Sequence, residues 1–94
     1  MPYLLFRYKV ADYDRWKPVL DQRGATRQAK GSRGGQVFRN ANDPNELVIL
    51  LEWSDLEQAR QFAQSEELRQ ALQRAGVADQ PDIYVLEAGE HVPA

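Results

Sequence analysis

The chain has 94 residues, no cysteine, and twelve basic against fourteen acidic residues, a net charge of −2. That length is one domain, too short to join a nucleotide domain to a substrate domain. The missing cysteines exclude thiolate nucleophiles, Cys-based zinc or iron–sulfur sites and a disulfide framework, and the charge is a poor balance for a nucleic-acid binder.

Pro2 to Val10 alternates with period two: Leu4, Phe6, Tyr8 and Val10 on one face, Tyr3, Leu5, Arg7 and Lys9 on the other. This predicts a strand. Asp12 and Asp14 then supply helix-start chemistry. A helical segment is expected to run to about Lys30, with a looser turn from Tyr13 to Lys17 and Pro18 near the true first turn. Gly31 is placed as its left-handed cap, and Gly31 to Gly35 as a flexible turn. Gln36 to Ala41 reads as a second strand, Asn42 to Asn45 as a turn, and Glu46 to Trp53 as a third strand. Ser54 and Glu57 have capping-box spacing before an apolar-periodic stretch. In that stretch Leu56, Ala59 and Ala63 share one face while Leu68, Ala71, Leu72 and Ala75 share another. The phase change predicts a break capped by Ser65, with Gly76 ending the second piece. Ile83 to Glu87 is the last strand.

The order is strand, helix, strand, strand, helix, strand: an α+β, ferredoxin-like βαββαβ domain spanning residues 1–94, with a four-stranded antiparallel sheet and helices on one face. A sheet with one wet face should alternate strictly. Leu47 to Leu51 and Ile83 to Leu86 instead run continuously apolar. Both faces of these strands call for cover, and a second subunit's sheet would supply it and enlarge a thin core. A homodimer is therefore expected. The chain does not open with a basic segment leading into an apolar one, and no apolar run approaches membrane length. A cytoplasmic protein with no membrane partner is expected.

Residues able to do chemistry are few. His91 is the only histidine and lies in the tail; no carboxylate cluster suggests a metal, and none is expected. Ser32, Ser54 and Ser65 fall in a loop and two caps without a positioned base. The Gly31–Gly35 loop runs from helix to strand, the wrong direction for a phosphate loop. Arg23, Arg27 and Lys30 form a helical stripe, read first as a solvated face and second as an anion-binding edge. The third strand lacks the glycine and paired aromatics of an RNA-recognition sheet, so no nucleic acid is expected. Arg7 and Glu52 are polar residues inside apolar strands on the sheet face away from the helices. They are expected to meet there, as an ion pair fixing dimer register or as polar anchors for a ligand. Tyr8, Trp16, Trp53 and Phe62 are expected to gather between sheet and helices, as core and as the walls of a pocket for a flat hydrophobic ligand.

The element order, with Trp53-x-Asp55, Ala59, Phe62, Ser65 and Leu68 in a strand end followed by a broken helix, resembles the antibiotic-biosynthesis-monooxygenase-like family of dimeric α+β barrels. The resemblance implies a homodimer with a pocket in each subunit. Haem-degrading members have a histidine where this chain has Leu72 and an asparagine on the first strand where it has none, so no cofactor is expected. Two main readings follow: a cofactor-free monooxygenase of an aromatic, polyketide-like metabolite, or a non-catalytic ligand-binding or accessory barrel. A polyketide cyclase-like enzyme is a third. Arg7 and Glu52 are the nearest candidates for acid–base work.

Overall fold

A computed structural model describes residues 1–77 and 80–94. The elements run β1 (Pro2–Lys9), α1 (Tyr13–Gln22), α2 (Gly24–Ala29), β2 (Ser32–Asn40), β3 (Asp43–Trp53), α3 (Leu56–Ala63), α4 (Glu66–Arg74) and β4 (Asp82–Glu87). The strands form one antiparallel sheet in the order β2-β3-β1-β4. This is the expected βαββαβ fold, with the first helical segment split in two and the second broken at Ser65 as expected.

Alternation decides which face is inside. Leu4, Phe6, Tyr8 and Val10 from the β1 side, and Leu47, Ile49, Leu51 and Trp53 of β3, are buried with Trp16, Ala59, Phe62 and Ala75 from the helical layer. Their neighbours Leu5, Val48 and Leu50 point to the opposite, open face and are only partly covered. The continuous apolar run of β3 thus serves two faces. No helix among the described residues is long and apolar enough to cross a membrane.

Several local expectations need correction. The first helix starts at Tyr13, with no looser turn before Pro18: the Asp12 carboxylate accepts from the Asp14 N–H at 3.0 Å and caps it directly. Pro18 lies inside α1, where the N–H it lacks would have reached the Asp14 carbonyl. The helix then breaks at Arg23, and α2 begins at Gly24. Gly31 to Gly35 is no free turn, since β2 begins at Ser32, which pairs with Trp53. The register shifts between Ser32 and Gly35, a bulge in which Gly34 takes φ +86°. Gly35 runs so close to the sheet that a Cβ would sit 1.8 Å from the Leu50 carbonyl oxygen. The β2–β3 connection is correspondingly tight, because Asn40 already pairs with Asp43.

Asp55, and not Ser54, caps α3, its carboxylate accepting from the Gln58 N–H at 3.0 Å. The break at Ser65 stands: its Oγ accepts from the Leu68 N–H at 3.2 Å and donates to the Phe62 carbonyl at 2.8 Å. Gly76, at φ +76°, follows the end of α4.

Candidate functional site

An apolar slot of about 50 Å3 lies between the sheet and the helices. Phe6 and Tyr8 of β1 and Ile49 of β3 form its floor. Trp16, Val19 and Leu20 come from α1, an i, i+3, i+4 stripe that turns one helical face inward. Phe62 of α3 and Leu68, Ala71 and Leu72 of α4, with Ala75 just beyond it, complete the walls, while Arg23 and Arg27 stand on the α2 side. No carboxylate or imidazole belongs to this lining among the described residues.

Its polar centre is the Tyr8 hydroxyl, which accepts a hydrogen bond from the Trp16 indole N–H at 3.0 Å. The two rings meet edge to face with centroids 6.3 Å apart. Burial disfavours the phenolate and pushes the Tyr8 pKa up to about 12, although the Trp16 bond and the charge of Arg27 oppose the rise. Tyr8 therefore stays protonated at neutral pH, with its own proton free to donate.

The basic stripe divides. Lys30 Nζ bonds Glu67 of α4 at 2.6 Å, and Arg23 approaches the same carboxylate at 3.6 Å. These contacts tie α2 to α4 and, with Lys30's charge, hold the Glu67 carboxyl below its usual range. Arg27 makes no side-chain hydrogen bond or ion pair among the described residues, and burial lowers its pKa.

Of the sequence-predicted pocket residues, Tyr8, Trp16 and Phe62 line the slot and Trp53 does not. Trp53 packs on Phe62 with ring centroids 4.9 Å apart, completely buried, and its indole N–H finds no acceptor among the described residues. Arg7 and Glu52 share the open face but do not meet. Arg7 lies opposite Val48, and Glu52 opposite Tyr3, about 13 Å along the strand at ~3.3 Å per residue. Arg7 instead bridges Glu46 and Asp82, each at 3.2 Å. Neither it nor Glu52 reaches the slot. Sequence reasoning left out of the pocket Phe6 and Ile49, Val19 and Leu20, Arg23 and Arg27, and Leu68 with its neighbours on and just beyond α4. The signal that could have found them is helical spacing, Trp16, Val19 and Leu20 on α1 beside the Leu68, Ala71 and Leu72 face already seen, while Ile49 of β3 offers only strand alternation.

Two recesses adjoin the slot. Lys30, Gln58, Gln61 and Ser65 surround one of about 300 Å3 that shares Phe62 with it. An open groove of about 640 Å3 between α4 and the start of β4 shares Leu68 and Leu72. By itself the slot is too small for an aromatic ring, since a cavity of roughly 150 Å3 is needed to hold benzene. Leu68 and Leu72 line both the slot and the groove, so the two share a wall.

Comparison with curated proteins finds no match. Among solved structures, SnoaB, a cofactor-independent oxygenase from Streptomyces nogalater, aligns with a TM-score of 0.76 over 99% of this chain and 97% of its own, at 14% identity. A Deinococcus radiodurans protein provisionally given the name antibiotic biosynthesis monooxygenase aligns at 0.68 over 100% and 98%, with 21% identity. Rv0793 from Mycobacterium tuberculosis aligns at 0.66 over 99% and 100%, with 14% identity. At such identities these structures establish the fold. The model of the antibiotic biosynthesis monooxygenase family matches residues 9–74, so the chain belongs to that family.

Proposed function

We propose that the chain is a cofactor-independent monooxygenase of an electron-rich aromatic, polyketide-like metabolite, working as a homodimer. The observation that carries this reading is the slot, which we read as opening into the α4 groove when substrate displaces Leu68 and Leu72: apolar walls, one neutral hydroxyl donor at Tyr8, and guanidinium charge on one side. Family membership and the likeness to SnoaB add support.

The chemistry asks little of the protein. A bound phenolic ring whose activated methylene loses a proton becomes a carbanion, favoured by the nearby guanidinium charge. The carbanion gives one electron to dioxygen, and the resulting radical pair closes a C–O bond as a peroxide. Loss of water leaves a carbonyl, so that one methylene and one dioxygen become one ketone and one water. Tyr8 donates its hydrogen bond to a substrate oxygen. With no carboxylate or imidazole in the described lining, the proton leaves through the substrate's own acidity and solvent at the mouth. The test is oxygen uptake with a panel of anthrones and hydroquinones in chelator-treated buffer. One dioxygen consumed per substrate oxidised, at a rate lowered by Tyr8→Phe, is the expected result; a rate equal to the uncatalysed one overturns it.

The absence of a base from the described lining also favours a second reading, a non-catalytic ligand-binding barrel. Ligand binding without oxygen uptake would select it.

Assembly follows from the open face. Leu5, Val48 and Leu50 lie at its centre, flanked by Phe38, Tyr84 and Leu86, which are 47%, 54% and 37% exposed. A patch of this kind fits a second sheet packed face to face. The expected interface exceeds ~1,200 Å2 in total. Sedimentation as a stable monomer at micromolar concentration would contradict the homodimer.

A further inference from the structure

We infer that the slot takes its aromatic ligand as a carboxylate, held at the α2 side by the Arg27 guanidinium and the Tyr8 hydroxyl. This inference rests on the reading of the slot as an aromatic site and adds the charge its ligand carries.

The neighbouring cations are matched by carboxylates. Lys17 holds both oxygens of Asp21, at 2.7 and 2.9 Å. Lys30 and Arg23 share Glu67. Arg27 is half-buried, lines the slot, and has no carboxylate, carbonyl or hydroxyl partner among the described residues. A half-buried guanidinium with no protein partner leaves its five N–H donors to water or to a ligand. The one carboxylate of α1 near enough to act on its charge, Asp21, is already taken by Lys17.

Tyr8 presents the same imbalance. Its oxygen accepts from Trp16, which leaves the phenolic proton to give, and no acceptor for it stands among the described residues. Two donors thus border one apolar slot whose described lining contains no anionic side chain. Their complement is an acceptor carrying negative charge. A planar carboxylate matches the guanidinium fork through two parallel bonds, and is ionised at neutral pH without help from the protein. An aromatic acid that displaces Leu68 and Leu72 toward the groove would bury its ring against Phe6 and Trp16 and leave its carboxylate at Arg27.

The experiment compares 2-naphthoate with the neutral 2-naphthamide, titrated at pH 7.5 into the whole protein and followed by the NMR resonance of the Trp16 indole N–H. The expected result is about tenfold tighter binding of the acid. Arg27→Met, which keeps the apolar stem, should abolish that preference while leaving the amide affinity within about twofold. Arg27→Lys, a charge without the fork, should retain part of it. Amide binding by Arg27→Met shows that the variant still folds around its slot. Equal binding of the two probes, or a preference that survives in Arg27→Met, overturns the inference and leaves the aromatic slot standing. Binding of neither probe removes the slot as an aromatic site and the inference with it.

Discussion

The two faces of one sheet differ more than their composition suggests. Leu50 and Leu51 are adjacent on β3, yet Leu51 is buried in the helical core while Leu50 stands on the open face opposite Leu5 and Gln36. The inner face is closed by this chain's own helices and holds the slot. The outer face is as apolar at its centre, is only partly covered by the described residues, and is framed by the Arg7–Glu46–Asp82 bridge. Apolar sequence therefore marks surface to be covered and does not say by what. On one side the cover is Trp16, Phe62 and α4. On the other we read it as a second copy.

Substitutions at neighbouring residues should separate the two faces. The largest effect is expected at Leu51→Ala, which opens a cavity in the inner core and should cost about 2–5 kcal/mol by denaturant unfolding, independent of protein concentration. Leu50→Lys, one residue away, should instead abolish the dimer in sedimentation. Equal, concentration-independent losses for both would break the distinction between the faces.

Tyr8→Phe should cost about 1–3 kcal/mol, because it strips the Trp16 N–H of its buried acceptor. Its pH dependence sharpens the test. The folded chain holds the Tyr8 proton until about pH 12, against an ordinary value of 10.0, so between these values the folded state binds more protons than the unfolded one. The stability this contributes is fully present below pH 10 and lost as the pH rises through 12, about 2–3 kcal/mol in all. Alkaline unfolding of Tyr8→Phe should lack that share of the slope.

The smallest effect is expected on the wet rim. Arg7→Ala breaks two bridges whose partners are partly exposed, and should change monomer stability by no more than about 1 kcal/mol. A larger loss that grows with protein concentration would assign Arg7 to the dimer contact.

Much of the fold was legible from the chain because its signals are local. The period-two pattern of Leu4, Phe6 and Tyr8 fixed the buried face of β1, and the phase change at Ser65 located the α3–α4 break. What escaped was tertiary. Arg7 and Glu52 were assigned correctly to one face, but sharing a face does not fix register, and pairing sets them four residues apart. The glycines after Gly31 read as a loop by composition. Gly35 is in fact required by the nearness of the Leu50 carbonyl, a neighbour supplied by the sheet. In the site, the aromatics were visible as types, whereas the division of labour among them was not. Trp53 packs beneath Phe62 outside the slot, and Arg27 stands out only once Arg23 and Lys30 are seen to converge on Glu67.

Whether the inner face receives a ligand while the outer face receives a partner can be read from a methyl NMR titration with 1-naphthol under argon. The account predicts shifts concentrated on Val19, Leu20, Leu68 and Leu72, the methyl-bearing walls of the slot. Shifts concentrated instead on Leu5, Val48, Leu50 and Leu86 would place the ligand on the open face and contradict it.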